Sequence, residues 1–169
     1  MVDINEVAEA FITPLLEQDQ LSLFRLDLPA GHTLADHETT PRIIILLTPL
    51  SGRRVADGSQ VKAAAGQVMY LENRFSGALT NTGEDLAYLV LTLPGQTVTE
   101  RSPDPVWHPS LSCLFQAAEL VIWQFRKSAQ LSVPSNMLHY AISSQSLTVR
   151  KTHESAGFSE GDLLLGGLI

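Results

Sequence analysis

One cysteine, Cys113, stands in 169 residues, so no disulfide can close within the chain, and that scarcity suits a reducing compartment. No apolar run approaches the roughly 18 residues that suggest a membrane span. Basic residues are few, 11 Lys and Arg against 18 Asp and Glu, for a net charge of −7. A binder of nucleic-acid backbones needs a clustered basic face instead. The doublets at 53–54, 126–127 and 150–151 read as solvated strand or turn ends. No basic residue precedes Arg25, which is the wrong pattern for a secretory signal. Missing too are a G-x-S-x-G elbow, a phosphate-cradling glycine loop and a Cys-x-x-Cys pair. The expectation is a cytoplasmic protein that touches neither membrane nor nucleic acid. With 44% apolar and 17% charged residues, the chain is globular and long enough for one ordinary domain or two small ones.

What is present is mostly strand pattern. Residues 1–13 carry Ile4, Val7, Ala8, Phe11 and Ile12 at helical spacing, with Asp3 and Glu6 placed for a capping box and Pro14 marking the end. From there the period becomes two. "LSLFRLDL" (21–28) alternates with an apparent slip between Leu23 and Phe24. "RIIILLT" (42–48), "QVMYLE" (67–72) and "LAYLVLTL" (86–93) read as further strands, set off by Pro29-Ala30-Gly31, Asp57-Gly58 and "TNTGED". Short strands parted by turns at this interval indicate an all-β sandwich or barrel. Residues 95–110, polar and with Pro103, Pro105 and Pro109, form the linker candidate.

Strand pattern resumes over 111–169, and a repeat emerges. At an offset of 99, residues 15–26 lie over 114–125, with Leu23 on Ile122 and Phe24 on Trp123. At an offset of 95, residues 42–71 lie over 137–166, with Ile43 on Leu138 and Gly66 on Gly161. The second copy then stops before any counterpart of "TNTGEDLAYLVLTL", so it is expected to lack its last strands and to need its open edge covered. Trp107 and Trp123 read as packing between the halves.

Over residues 14–94 the chain resembles the cupin family. Gly31, five residues and His37 match the start of the family's first motif, and Gly52 its end. Gly66-Gln67-Val68 resembles the step into the second motif, and Asn81-Thr82-Gly83 its close. The resemblance implies a double-stranded β-helix, or jelly-roll, barrel in 14–94 with a partial second β-unit in 111–169. It also implies a homodimer and a divalent transition metal. The ligand set departs from the pattern, because Thr39, Ile43 or Ile44, and Gly77 stand where the family has its other donors. Only His37 matches, and a transition ion needs three or four protein ligands. Glu38, Asp36 and His32 have the opposite parity to His37 on an extended chain. His139 falls over Ile44 and His153 over Gly58.

The residues therefore point to a metal-free, cupin-like module that binds a small organic molecule, as a sensor or accessory protein. His37, Arg42, Tyr70 and Asn81 are the ligand-binding candidates, and no cofactor is expected. Arg42 is to face the barrel mouth and pair with a carboxylate. One of Met69 and Tyr70 is to face inward. His32 reads as an exposed polar residue. Two alternatives stand beside this reading: a metal-dependent enzyme of dioxygenase or isomerase type with unusual ligands around His37, and a duplicated β-unit that serves assembly.

Overall fold

Strands whose side chains alternate between two faces must pair to satisfy their backbones, and the pairing they adopt is visible in the computed structural model. It describes residues 3–19, 21–96, 98–106, 108–132, 138–144, 146, 148–152 and 156–168. The chain divides into two units, residues 1–97 and 98–169. In the first, α1 (Ile4–Val7) and a 3-10 turn (Glu9–Phe11) lead into β1 (Ile12–Gln18) and β2 (Leu21–Leu28). Next come β3 (Thr33–Leu34), β4 (His37–Glu38), β5 (Arg42–Leu46), β6 (Leu50–Arg54), β7 (Gln60–Ala63) and β8 (Val68–Leu71). The unit closes with β9 (Phe75–Ser76), β10 (Leu79–Asn81) and β11 (Leu86–Thr92).

One antiparallel sheet runs β1-β2-β11-β5-β8 and a second runs β3-β10-β6-β7. The chain crosses between them in turn: β2, then β3, back to β5, over to β6 and β7, back to β8, over to β10, back to β11. That path is a jelly roll. Leu26, Leu28, Leu46 and Leu86 from the first sheet pack with Leu34, Leu50 and Ala63 from the second in one core cluster, which α1 and the 3-10 turn extend with Ile4, Val7, Ala8 and Phe11.

The helix is shorter than its apolar spacing predicts. Asp3 caps it by accepting from the Asn5 N–H at 2.8 Å, but strand begins already at Ile12. Pro14 is thus inside a strand. Its missing N–H is tolerated because β1 is an edge strand paired only with β2, with a register shift at the following residue, Leu15. The slip expected in "LSLFRLDL" is absent, since β2 pairs with β11 without a break from Leu28↔Leu86 to Ser22↔Thr92. The sequence suggested it because both faces of β2 are buried: Leu21 and Leu23 on one, Leu26 and Leu28 on the other, each at most 2% exposed. No helix among the described residues is long and apolar enough to cross a membrane.

The second unit contains β12 (Leu111–Gln116), β13 (Val121–Phe125), β14 (Ala129–Leu131), β15 (Leu138–Ile142), β16 (Val149–Thr152), β17 (Ala156–Phe158) and β18 (Leu163–Leu168). Its main sheet, β12-β13-β18-β15-β16, has the connection order of β1-β2-β11-β5-β8, and β14 pairs with β17 as β3 pairs with β10. The offset of 99 holds in register: β1–β2 shifts between Pro14 and Leu16, and β12–β13 shifts between Cys113 and Phe115.

The offset of 95 does not hold. Ile43 pairs with Leu91 as Tyr140 pairs with Leu165, which makes Tyr140, not Leu138, the partner position of Ile43. Nor is the last strand missing, because β18 occupies the place of β11. What the described residues lack is the β6–β7 hairpin. Residues 47–67 carry it in the first unit, whereas β15 passes to β16 through residues 143–148. Gly66 and Gly161 align by their shared turn conformation, φ +83° and +89°, and not by their place in the sheet. Within the segment read as a linker, Val98 is buried, Glu100 bridges Ala117 and the Arg101 N–H donates to the Gln116 carbonyl. Trp123 packs in the core cluster of the second unit, with Leu111, Phe125 and Leu164. Trp107, Met137, His153 and the side chain of His139 lie outside the described residues.

Candidate functional site

Because directly paired residues share a face, register alone reveals what the first unit presents to its interior. Across the sheet, Glu17 pairs with Ser22 and Ser22 with Thr92. Arg42 lies beside Thr92, one step beyond the Leu91↔Ile43 pair. The next row inward is Phe24, Val90, Ile44 and Met69, and the row beyond it is Leu26, Tyr88 and Leu46. The inner face thus runs from a polar edge to an apolar floor.

Opposite that edge, β4 and β9 form a short strap in which His37 pairs with Ser76 and Glu38 with Phe75, extended by the Thr39 N–H donating to the Arg74 carbonyl. Alternation then places His37, Thr39, Arg74 and Ser76 on one face and Glu38 and Phe75 on the other. The space between strap and sheet is a cavity of about 550 Å³ whose lining includes His37, Arg42, Arg74, Tyr88 and Thr92. Asp3, Ile4 and Asn5 also border it.

Two of the four candidate residues meet there. His37 is 2% exposed, and its Nδ1 donates to the Ala35 carbonyl at 2.8 Å. That bond leaves Nε2 as the acceptor in the neutral ring, and no partner for Nε2 is found among the described residues. Arg42 is 8% exposed. Its guanidinium donates at 3.2 Å to the Asn73 carbonyl, and at 3.4 Å to the Asn73 amide oxygen and the Thr40 carbonyl. No carboxylate of the described residues lies within ion-pair distance of it. The barrel mouth does hold Arg42, and the carboxylate expected beside it does not come from this chain's described residues. Burial pushes Arg42 down from its ordinary value, with Tyr88 opposing. Burial likewise pushes the Tyr88 phenol well up, with the Arg42 cation opposing, so Tyr88 is a neutral hydrogen-bonding group at the cavity floor.

The other two candidates lie elsewhere. Tyr70 pairs with Ile43, on the face of β5 opposite Arg42, and lines an adjoining cleft with Pro41, Glu72 and Pro94; Met69 is the inward residue of that pair. Asn81 is 1% exposed, and all its polar atoms are occupied within the fold. Its amide nitrogen donates to the Leu28 carbonyl at 2.9 Å and the Glu84 carbonyl at 2.8 Å, and its amide oxygen accepts from the Gly83 N–H at 3.1 Å. Asn81 locks the turn between β10 and β11 and has no group left for a ligand. His32 is exposed and touches the Phe11 ring edge-on at 5.8 Å.

The donor set does not suit the metal that the family resemblance implies. Thr39 and Ile44 line the cavity at positions where that pattern has donors, and neither is a usual ligand of a transition ion. No three His, Cys, Asp or Glu side chains are grouped for a metal among the described residues. Sequence reading passed over Tyr88, Thr92, Ser22 and Arg74. The available signal was parity: Tyr88, Val90 and Thr92 alternate along one face of "LAYLVLTL", and a polar residue ends an otherwise apolar series.

No family model and no curated protein matches the sequence. Among solved structures, the chain is similar to a cupin domain from Bordetella pertussis Tohama I (9% identity, 50% of this chain and 92% of that one, TM-score 0.44). It is also similar to the EutQ protein of Clostridium difficile (14%, 51% and 68%, TM-score 0.39). A third is a predicted oxalate decarboxylase from Thermotoga maritima (24%, 48% and 78%, TM-score 0.39).

Proposed function

We propose that the first unit is a cupin-type binding module that takes up a small organic carboxylate in its interior without a metal. The observation that carries this reading is Arg42, a buried guanidinium on a cavity wall with no carboxylate partner from the described residues. A buried charge is strongly disfavoured unless paired, and a planar guanidinium pairs best with a carboxylate, through two parallel hydrogen bonds. A ligand that supplies the missing anion completes the pair in a place shielded from water. Nε2 of His37 and the phenol of Tyr88 offer further hydrogen bonds to orient it, and an interior of this size is ordinary for a small-molecule site.

The test is thermal unfolding of the EDTA-treated full chain against a panel of small mono- and dicarboxylates. A ligand at about 100 times its Kd adds roughly 2.7 kcal/mol, which a melting curve resolves easily. The expected result is stabilisation that persists in EDTA and disappears in Arg42→Met. Stoichiometric metal in protein purified without chelator, lost in His37→Ala, would instead establish the metal-dependent enzyme. The absence of any carboxylate effect would remove the binding reading.

A further inference from the structure

Resting on that reading, the layering of the cavity defines the ligand more closely. The polar groups of the inner sheet face sit at one level, where Ser22, Thr92 and Arg42 lie side by side. One level deeper the wall is Phe24, Val90 and Ile44, with Leu34 from the second sheet also in the lining. None of these four can pair with a charge. The depth ends near Tyr88, behind which Leu26 and Leu46 are closed off at 0% and 2% exposure. From the Thr92 level to the Tyr88 level is four residues of strand, about 13 Å. We infer that the ligand is an amphipathic monocarboxylate, its head at Arg42 and an apolar body lying along Phe24, Ile44 and Val90 toward Tyr88.

A dicarboxylate is disfavoured by the same geometry. With one end on Arg42, a second carboxylate directed inward is desolvated among hydrocarbon side chains with no cation to meet it. Directed outward, it reaches the exposed Arg74, but Glu17, Glu38 and Asp3 also border the cavity, and the apolar level stays unfilled. Each methylene buried against that level adds about 0.8 kcal/mol, roughly a fourfold gain in affinity.

The experiment is calorimetric titration of the EDTA-treated full chain with straight-chain alkanoates from propanoate to decanoate, below their micellar concentrations, and with dicarboxylates of matched length. Affinity is expected to rise about fourfold per methylene and to level off once the chain outgrows the cavity depth. Matched dicarboxylates are expected to lose that gain, and Arg42→Met to abolish binding across the series. Carboxylates that bind through Arg42 with no dependence on chain length, or dicarboxylates that bind as tightly as their mono-acids, would overturn this inference and leave the proposed function standing. Long alkanoates that bind equally well to Arg42→Met would overturn the placement of the head. No binding by any member would overturn both.

Discussion

Replacing Arg42 by Met is expected to stabilise the unliganded protein while abolishing carboxylate binding. The native guanidinium is 8% exposed and gives up most of its hydration. It receives in return one hydrogen bond of 3.2 Å and two of 3.4 Å to neutral oxygens, all at the long end of the range. Effective desolvation costs several kcal/mol for a buried ion, and exchanging buried ionic groups for apolar residues of similar volume is often neutral or stabilising by about 1–4 kcal/mol. The three bonds lost offset part of this, at about 1.5–3 kcal/mol for a well-made bond to a charged group and less for long ones. The Asn73 and Thr40 carbonyls left behind lie near the cavity mouth, where water can reach them. The net expectation is a gain of about 1 kcal/mol, or roughly 2–4 °C in Tm for a chain of this size. Unfolding of the first unit is followed by far-UV circular dichroism or calorimetry, because both tryptophans, Trp107 and Trp123, belong to residues 98–169. A loss of more than about 1 kcal/mol in Arg42→Met would refute the reasoning. Arg42 would then be a structural clasp on Asn73, and its lack of a carboxylate would carry no functional meaning.

Asn81→Ala is expected to cost about 2–3 kcal/mol in urea unfolding, because it strands the Leu28 and Glu84 carbonyls and the Gly83 N–H in a buried turn; an unchanged midpoint would show that water replaces it. Gly31→Ala meets no atom within 4 Å but must hold φ at +79°, so a loss of about 1–2 kcal/mol is expected from the backbone alone, and Gly31→Asn should recover part of it. Tyr88 has its folded pKa raised by burial, so its contribution is fully present below the unfolded value of about 10 and is lost as pH climbs toward the folded value. Stability should fall with pH above about 10, and Tyr88→Phe should flatten that decline; identical slopes would contradict the burial argument. Cys113 is partly buried and its thiol is pushed up by that burial, so it should react with a disulfide reagent near neutral pH more slowly than a free cysteine does; a rate equal to that of free cysteine would contradict this.

How much could be read before folding depends on the range of the interaction. Strands, turns and the all-β class follow from local pattern, since alternation, β-branching and Gly or Pro punctuation act over a few residues. His37 and Arg42 were legible because a motif spacing and a strand start place them at one end of the barrel. Tyr70 was misplaced because only pairing tells which of two neighbours faces inward, and Ile43↔Tyr70 fixes that pairing across 27 positions of sequence. Asn81 was misread for a related reason: a buried amide looks available until its partners Leu28 and Glu84 are known. The offset of 99 between the units was readable along one hairpin. The later part of the repeat was not, because the missing β6–β7 hairpin moves the register of everything after it and a shared Gly66/Gly161 turn pulled the alignment onto the wrong strand.

Composition and periodicity by themselves determined that this chain is a globular all-β protein with a duplicated β pattern, one histidine at a motif position and too few donors around it for a familiar metal site. Only the tertiary structure decided that Ser22, Thr92 and Arg42 stand at one level above Phe24, Ile44 and Val90, and that no carboxylate of the described residues reaches Arg42. Parity within a strand is a local property that sequence carries. Which strands lie side by side, and at what register, is settled by the burial of both faces and the closure of the jelly roll, and those are properties of the whole fold.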